Sequence, residues 1–112
     1  MKTGDDWTVL EGIDTEGSNF PATATIGGER IVVFKSAAGF HAVERRCPHQ
    51  KADLSKKGSA IKLSNQIVIR CALHGIVFRA SDGKSINYPG VNAQVYEVEC
   101  EGAELRVRKA QA

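Results

Sequence analysis

Two short segments of this 112-residue chain concentrate residue types that bind soft metals: Cys47-Pro48-His49, and Cys71-Ala72-Leu73-His74-Gly75. Each offers one thiolate and one imidazole, and each carries a turn former, Pro48 or Gly75, beside its ligands. A C-x-H loop and a C-x-x-H loop that converge supply four donors to one small metal site. Tetrahedral zinc is satisfied by the same set, although zinc fingers usually group Cys with Cys and His with His around a helix. The plain alternative, four ordinary core or turn residues, fits the paired spacing poorly. Cys100 has no histidine beside it and is expected to be a buried, inert thiol outside the site. His41 is expected as a half-exposed strand histidine and Trp7 as a core residue.

The elements that must position these loops are short strands. Phe20 to Ile26 and Glu29 to Lys35 flank Gly27-Gly28, which is tight-hairpin turn chemistry. Phe40 to Glu44 leads into the first loop. Ile61 to Leu63 and Gln66 to Arg70 flank Ser64-Asn65, and Ile76 to Arg79 is set off from Ser85 to Tyr88 by Ser81-Asp82-Gly83-Lys84, so two further hairpins are predicted. Tyr96, Val98 and Cys100 alternate with Glu97, Glu99 and Glu101; beyond Gly102, Leu105 and Val107 alternate with Arg106 and Arg108. That period of two predicts a last hairpin with one core face and one wet face. Helix is expected only as an N-terminal turn and a short piece near Leu54 to Lys57. Eight to ten short antiparallel strands predict an all-β sandwich or small barrel, with Ile61 to Tyr88 as a separate hairpin layer.

Length and composition agree with one ordinary globular domain over residues 1–112, at 42% hydrophobic and 25% charged residues. The longest strongly apolar run is Ile31 to Phe34, far short of the roughly 20 residues that span a bilayer. Asp5 and Asp6 stand where a signal peptide needs an apolar stretch, so a cytoplasmic location is expected. Three cysteines are too few, and odd in number, for a secreted disulfide framework.

At the two loops the sequence resembles the Rieske [2Fe-2S] family, in which such loops give two Cys to one iron and two His to the other. The resemblance runs from Gly39-Phe40-His41-Ala42-Val43-Glu44-Arg45-Arg46 into the first loop, through Leu54 and Gly58. It continues past Ile76-Val77-Phe78 to Asp82-Gly83 and Pro89. It implies an all-β fold with a cluster-binding subdomain at about 45–90. It further implies one [2Fe-2S] cluster held by Cys47 and Cys71 on one iron and by His49 and His74 on the other. Phe78 and Pro89 would pack over it. Two departures stand out: 21 residues separate His49 from Cys71, a few more than the family pattern, and Ala72 occupies a position that is often proline. The first is expected to lengthen the Ile61 to Arg70 hairpin.

Within the family, respiratory members brace the loops with a disulfide whose positions here are Ala52 and Leu73. They also donate hydroxyls to the cluster where this chain has Ile76 and Phe78. Hydrogen bonds to cluster sulfurs favour the reduced state, so the resemblance implies a potential toward the low end of the Rieske range of about −150 to +300 mV. It is most similar to the soluble Rieske-type ferredoxins of bacterial ring-hydroxylating oxygenase systems. That implies an electron carrier with no substrate site of its own, with a flavin-containing reductase as donor and a terminal oxygenase as acceptor. A Rieske-like small subunit of a larger oxidoreductase such as nitrite reductase, and a zinc-stabilised interaction module, are the alternatives.

Charge is uneven. Residues 45–84 hold nine basic and two acidic side chains, and the remainder six basic and eleven acidic. This dipole is expected to turn the cluster-bearing end toward an acidic protein surface. No aromatic interleaving or binding motif supports nucleic acid as a partner, and no membrane contact is expected.

Overall fold

The computed structural model describes residues 7–10, 13, 15, 17, 20–37, 39–47, 52–72, 75–102 and 104–109. These form two antiparallel sheets and one short helix. The larger sheet has six strands in the order β1 (Thr8–Leu10), β9 (Glu104–Lys109), β8 (Val95–Glu101), β4 (Gly39–Glu44), β3 (Glu29–Ser36), β2 (Ala22–Ile26), and it nearly closes into a barrel. The smaller sheet has three, β5 (Gly58–Leu63), β6 (Gln66–Cys71) and β7 (Val77–Arg79), preceded by α1 (Leu54–Lys57).

Local chemistry accounts for most of these elements. Gly27 and Gly28 both take positive φ, +55° and +83°, the pair of left-handed residues that a two-residue hairpin requires. The run Ile31 to Phe34 does not alternate because β3 is buried on both faces. Ile31 and Val33 join Ala42, Tyr96, Leu105 and Val107 in one core cluster, whereas Val32 and Phe34 join Val43 in a second that also takes in the small sheet. β3 is therefore the wall between the two cores.

Several expectations need correction. A strand not predicted lies near the N-terminus: β1 pairs Thr8 with Val107 and Leu10 with Leu105, burying Leu10 against β9. Three residues with one inward side chain carry too little pattern to announce a strand. Trp7 is half-buried at this edge, with the Arg108 guanidinium over its ring at 4.5 Å. Ser85 to Tyr88 is not a strand. Only the isolated bridges Phe78–Ser85 and Lys84–Asn92 form there, because the Ser85 hydroxyl draws the Tyr88 amide into a turn at 2.8 Å. The β5–β6 hairpin is longer than predicted and pairs Gly58 with Cys71, so it delivers the second cysteine at its open end.

Candidate metal centre

The first loop grows out of β4. The Arg45 amide donates to the Arg30 carbonyl at 3.0 Å, the last link to the large sheet. Beyond it the chain forms a narrow stem: Arg46 bridges Asp53, the Cys47 amide donates to the Ala52 carbonyl at 2.8 Å, and the Leu54 amide donates to the Arg45 carbonyl at 2.7 Å. Arg45 Nε and Nη2 donate to Asp53 Oδ1 and Oδ2, each at 3.0 Å. Asp53 also caps α1, accepting from the Ser55 amide at 2.9 Å and the Ser55 hydroxyl at 2.6 Å. The Arg45 guanidinium first, and Ser55 after it, hold this carboxyl far below the usual range.

The second loop joins β6 to β7. The Cys71 amide donates to the Ile76 carbonyl and the Gly75 amide to the Cys71 carbonyl, both at 2.9 Å. Gly75 takes φ +70°, a left-handed conformation that favours glycine at this turn. The Ala72 amide donates to the Lys57 carbonyl at 2.8 Å, so α1 ties the second loop to the first stem. Gly58, at the end of α1, leaves no room for a side chain: a Cβ there would lie 2.7 Å from the Leu54 carbonyl oxygen and 3.0 Å from Phe34 Cζ.

These stems bring the two thiols into one place. Cys47 is fully buried and Cys71 almost so, and both belong to the core cluster of Leu54, Ile69, Ile76, Phe78 and Val95. Neither is in a disulfide. Pro48, His49, Leu73 and His74 lie outside the described residues.

Other predicted residues are placed as follows. Ile76 and Phe78 are fully buried in the cluster that holds the thiols. Pro89 is exposed, while its neighbour Tyr88 packs on that cluster. His41 is half-buried on β4 and shares a hydrogen bond of 2.7 Å with the Ser36 hydroxyl; burial pushes its pKa down. Cys100 is exposed, which corrects the buried thiol expected from its strand pattern: β8 and β9 run past the end of the core, and Cys100 sits beside their turn, its thiol donating to the Gly102 carbonyl.

Both acidic residues of the basic segment are consumed locally, Asp53 by Arg45 and Asp82 by Arg79. Among the described residues, no carboxylate lies within ion-pairing distance of Arg46, Lys56, Lys57, Lys62, Arg70 or Lys84. A cleft of about 670 Å³ opens beside the first stem, with Arg30 and Arg46 in its lining.

Sequence reasoning missed Asn87. Its side-chain amide donates to the Gly75 carbonyl at 2.9 Å, and its carbonyl accepts from the Val77 amide at 3.0 Å. The Ser85-x-Asn87-Tyr88 turn chemistry was the one available signal.

Residues 6–107 match the family model of the Rieske [2Fe-2S] domain. A protein described as the iron-sulfur subunit TsaM2 of a toluene-4-sulfonate monooxygenase system, from Comamonas testosteroni, is 37% identical over 92 residues. That alignment takes in 80% of this chain but only 24% of the relative, so the chain spans about a quarter of its length. Among solved structures, a chain from the complex of reduced oxygenase and oxidized ferredoxin in carbazole 1,9a-dioxygenase superposes with TM-score 0.70 at 26% identity, covering 96% of this chain and 98% of that one. An NADH-dependent nitrite reductase small subunit from Mycobacterium tuberculosis superposes with TM-score 0.73 at 20% identity, covering 95% and 96%, a likeness of fold.

Proposed function

The chain belongs to the Rieske [2Fe-2S] domain family, and from that premise we propose that Cys47 and Cys71 hold one iron of a single cluster and His49 and His74 the other. The observation that carries this assignment is the burial of both thiols in one apolar cluster, each at the base of a closed loop. The donor set fits: two soft thiolates and two imidazoles, with no disulfide competing for sulfur. The family match selects this centre over tetrahedral zinc.

When bound, the cluster supplies reversible one-electron chemistry. The protein's own residues do the rest. Leu54, Ile76 and Phe78 exclude water from the sulfur side, and the two stems fix the spacing of the cysteines. With two neutral imidazoles in place of thiolates, an oxidised centre carries no net charge, which makes electron uptake easier than at a four-thiolate site.

The finer reading is a Rieske-type ferredoxin that receives single electrons from a flavin-containing reductase and passes them to a terminal oxygenase. The chain that is 26% identical comes from an oxygenase and ferredoxin complex, and it matches this chain nearly end to end. The nitrite reductase small subunit is alike in fold alone. Arg46, Lys56 and Lys57, without acidic partners among the described residues, flank the two loops and support docking on an acidic surface.

The test is reduction of a ring-hydroxylating terminal oxygenase by the dithionite-reduced protein, followed by stopped flow across a salt series. The reading predicts single-electron transfer that slows as salt rises, and a further loss in Lys56→Glu/Lys57→Glu. Absence of transfer, with tight co-purification in a larger reductase, would assign the subunit role instead.

A further inference from the structure

Asn87 makes two side-chain hydrogen bonds to the backbone that follows the second ligand loop, and its Oδ1 also accepts a longer one, 3.5 Å, from the Ser85 hydroxyl. Its Nδ2 donates to the Gly75 carbonyl at 2.9 Å and its Oδ1 accepts from the Val77 amide at 3.0 Å. The bonds span 12 and 10 residues, so they join separate parts of the fold. Asn87 itself stands on a stiff support. The Ile86 amide donates to the Val77 carbonyl at 2.8 Å, Phe78 bridges Ser85, and the Ser85 hydroxyl accepts from the Tyr88 amide at 2.8 Å.

The position matters for how the loop is anchored among the described residues. On the Cys71 side, the loop is anchored by three backbone bonds: Cys71 to Ile76, Gly75 to Cys71 and Ala72 to Lys57. The Gly75 carbonyl, on the far side of the turn, accepts from Asn87 alone among the described residues. Gly75 has the backbone freedom that its φ of +70° reflects, and it directly follows His74. An external side chain that grips both ends of the Gly75–Val77 segment removes that freedom.

We propose that Asn87 is a positioning residue for the second ligand loop: by clamping the Gly75 carbonyl and the Val77 amide, it sets the direction in which the residue before Gly75 is presented to the cluster. This rests on the ligand set proposed above. Because Asn87 is exposed, its substitution leaves the core intact.

The experiment compares Asn87→Ala, Asn87→Asp and the control Asn65→Ala, a substitution in the exposed β5–β6 turn. Three readouts are used on the purified protein: amide hydrogen exchange at Val77, the rate at which a chelator removes iron, and the electron paramagnetic resonance line shape of the reduced form. Asn87→Ala is expected to expose the Val77 amide to exchange and to speed iron loss about fivefold to tenfold, with an altered electron paramagnetic resonance line shape. Asn87→Asp keeps the acceptor for Val77 but loses the donor to Gly75, so Val77 stays protected while iron loss still accelerates. Asn65→Ala changes neither. Unchanged iron loss and line shape in Asn87→Ala, with Val77 deprotected, would overturn the proposal and leave a surface bond of no consequence to the site. If the unmutated protein binds no iron, the ligand set itself fails, and that result is distinct from either outcome.

Discussion

Arg45 and Asp53 face each other as a two-pronged pair, Nε to Oδ1 and Nη2 to Oδ2 at 3.0 Å each, across the stem that closes the first loop. Asp53 serves two elements at once, because the same carboxylate caps α1 through Ser55. The stem and the helix that leads to the second loop therefore share one anchor.

That anchor sets a pH dependence. The folded carboxyl of Asp53 lies well below its unfolded value of about 4, so its contribution is present above that value and is lost as pH falls toward the folded one. Denaturant midpoints of the wild type and Asp53→Asn, compared from pH 7 downward, should differ at neutral pH and converge below about pH 4. A constant difference across that range would contradict the assignment. Asp53→Ala, which also removes the cap, should cost about 1 kcal/mol more than Asp53→Asn at pH 7.

Two glycines are required by close approach. A Cβ at Gly83 would lie 2.0 Å from the Ala93 carbonyl oxygen, at φ +79°, and one at Gly58 would strike Leu54 and Phe34. Gly83→Ala and Gly58→Ala should each destabilise by about 2 to 4 kcal/mol in urea titrations. Gly90→Ala, at φ +85° with nothing within 4 Å, should cost only about 1 kcal/mol.

The ligand assignment separates the three cysteines. Cys47→Ser and Cys71→Ser, and likewise His49→Ala and His74→Ala, should each lose the cluster, read as iron content and visible absorbance of the purified protein. Cys100→Ser, at the exposed hairpin end, should retain both. Loss of iron in Cys100→Ser would move the site.

Ile76 and Phe78 give the thiol-bearing core two apolar side chains where a hydroxyl could donate. Phe78→Tyr should raise the reduction potential, since a new hydrogen bond to sulfur favours the reduced form. A net gain near 1.4 kcal/mol corresponds to about 60 mV for one electron. Protein-film voltammetry of the pair measures it directly, and an unchanged or lowered potential would show that the hydroxyl does not reach sulfur.

How much of this was legible in the sequence depends on how local each cause is. Gly27-Gly28 and the alternation from Tyr96 to Arg108 announced their hairpins because turn chemistry and a period of two act within a few residues. The same alternation told which face Cys100 occupies but not where the core ends, which is a matter of sheet length against core length. β1 was invisible because its pairing with β9 joins opposite ends of the chain. The cysteine and histidine spacings suggested the proposed donors, of which Cys47 and Cys71 lie among the described residues. The Arg45–Asp53 pair and the reach of Asn87 to Gly75 depend on stems that form only once both sheets are in place.

The central claim is a mixed Cys/His [2Fe-2S] centre, and electron paramagnetic resonance on the anaerobically purified, dithionite-reduced protein tests it most directly. The account predicts a rhombic signal with average g below the free-electron value, from a protein containing two irons and two sulfides per chain. A colourless, silent protein that carries zinc would contradict it.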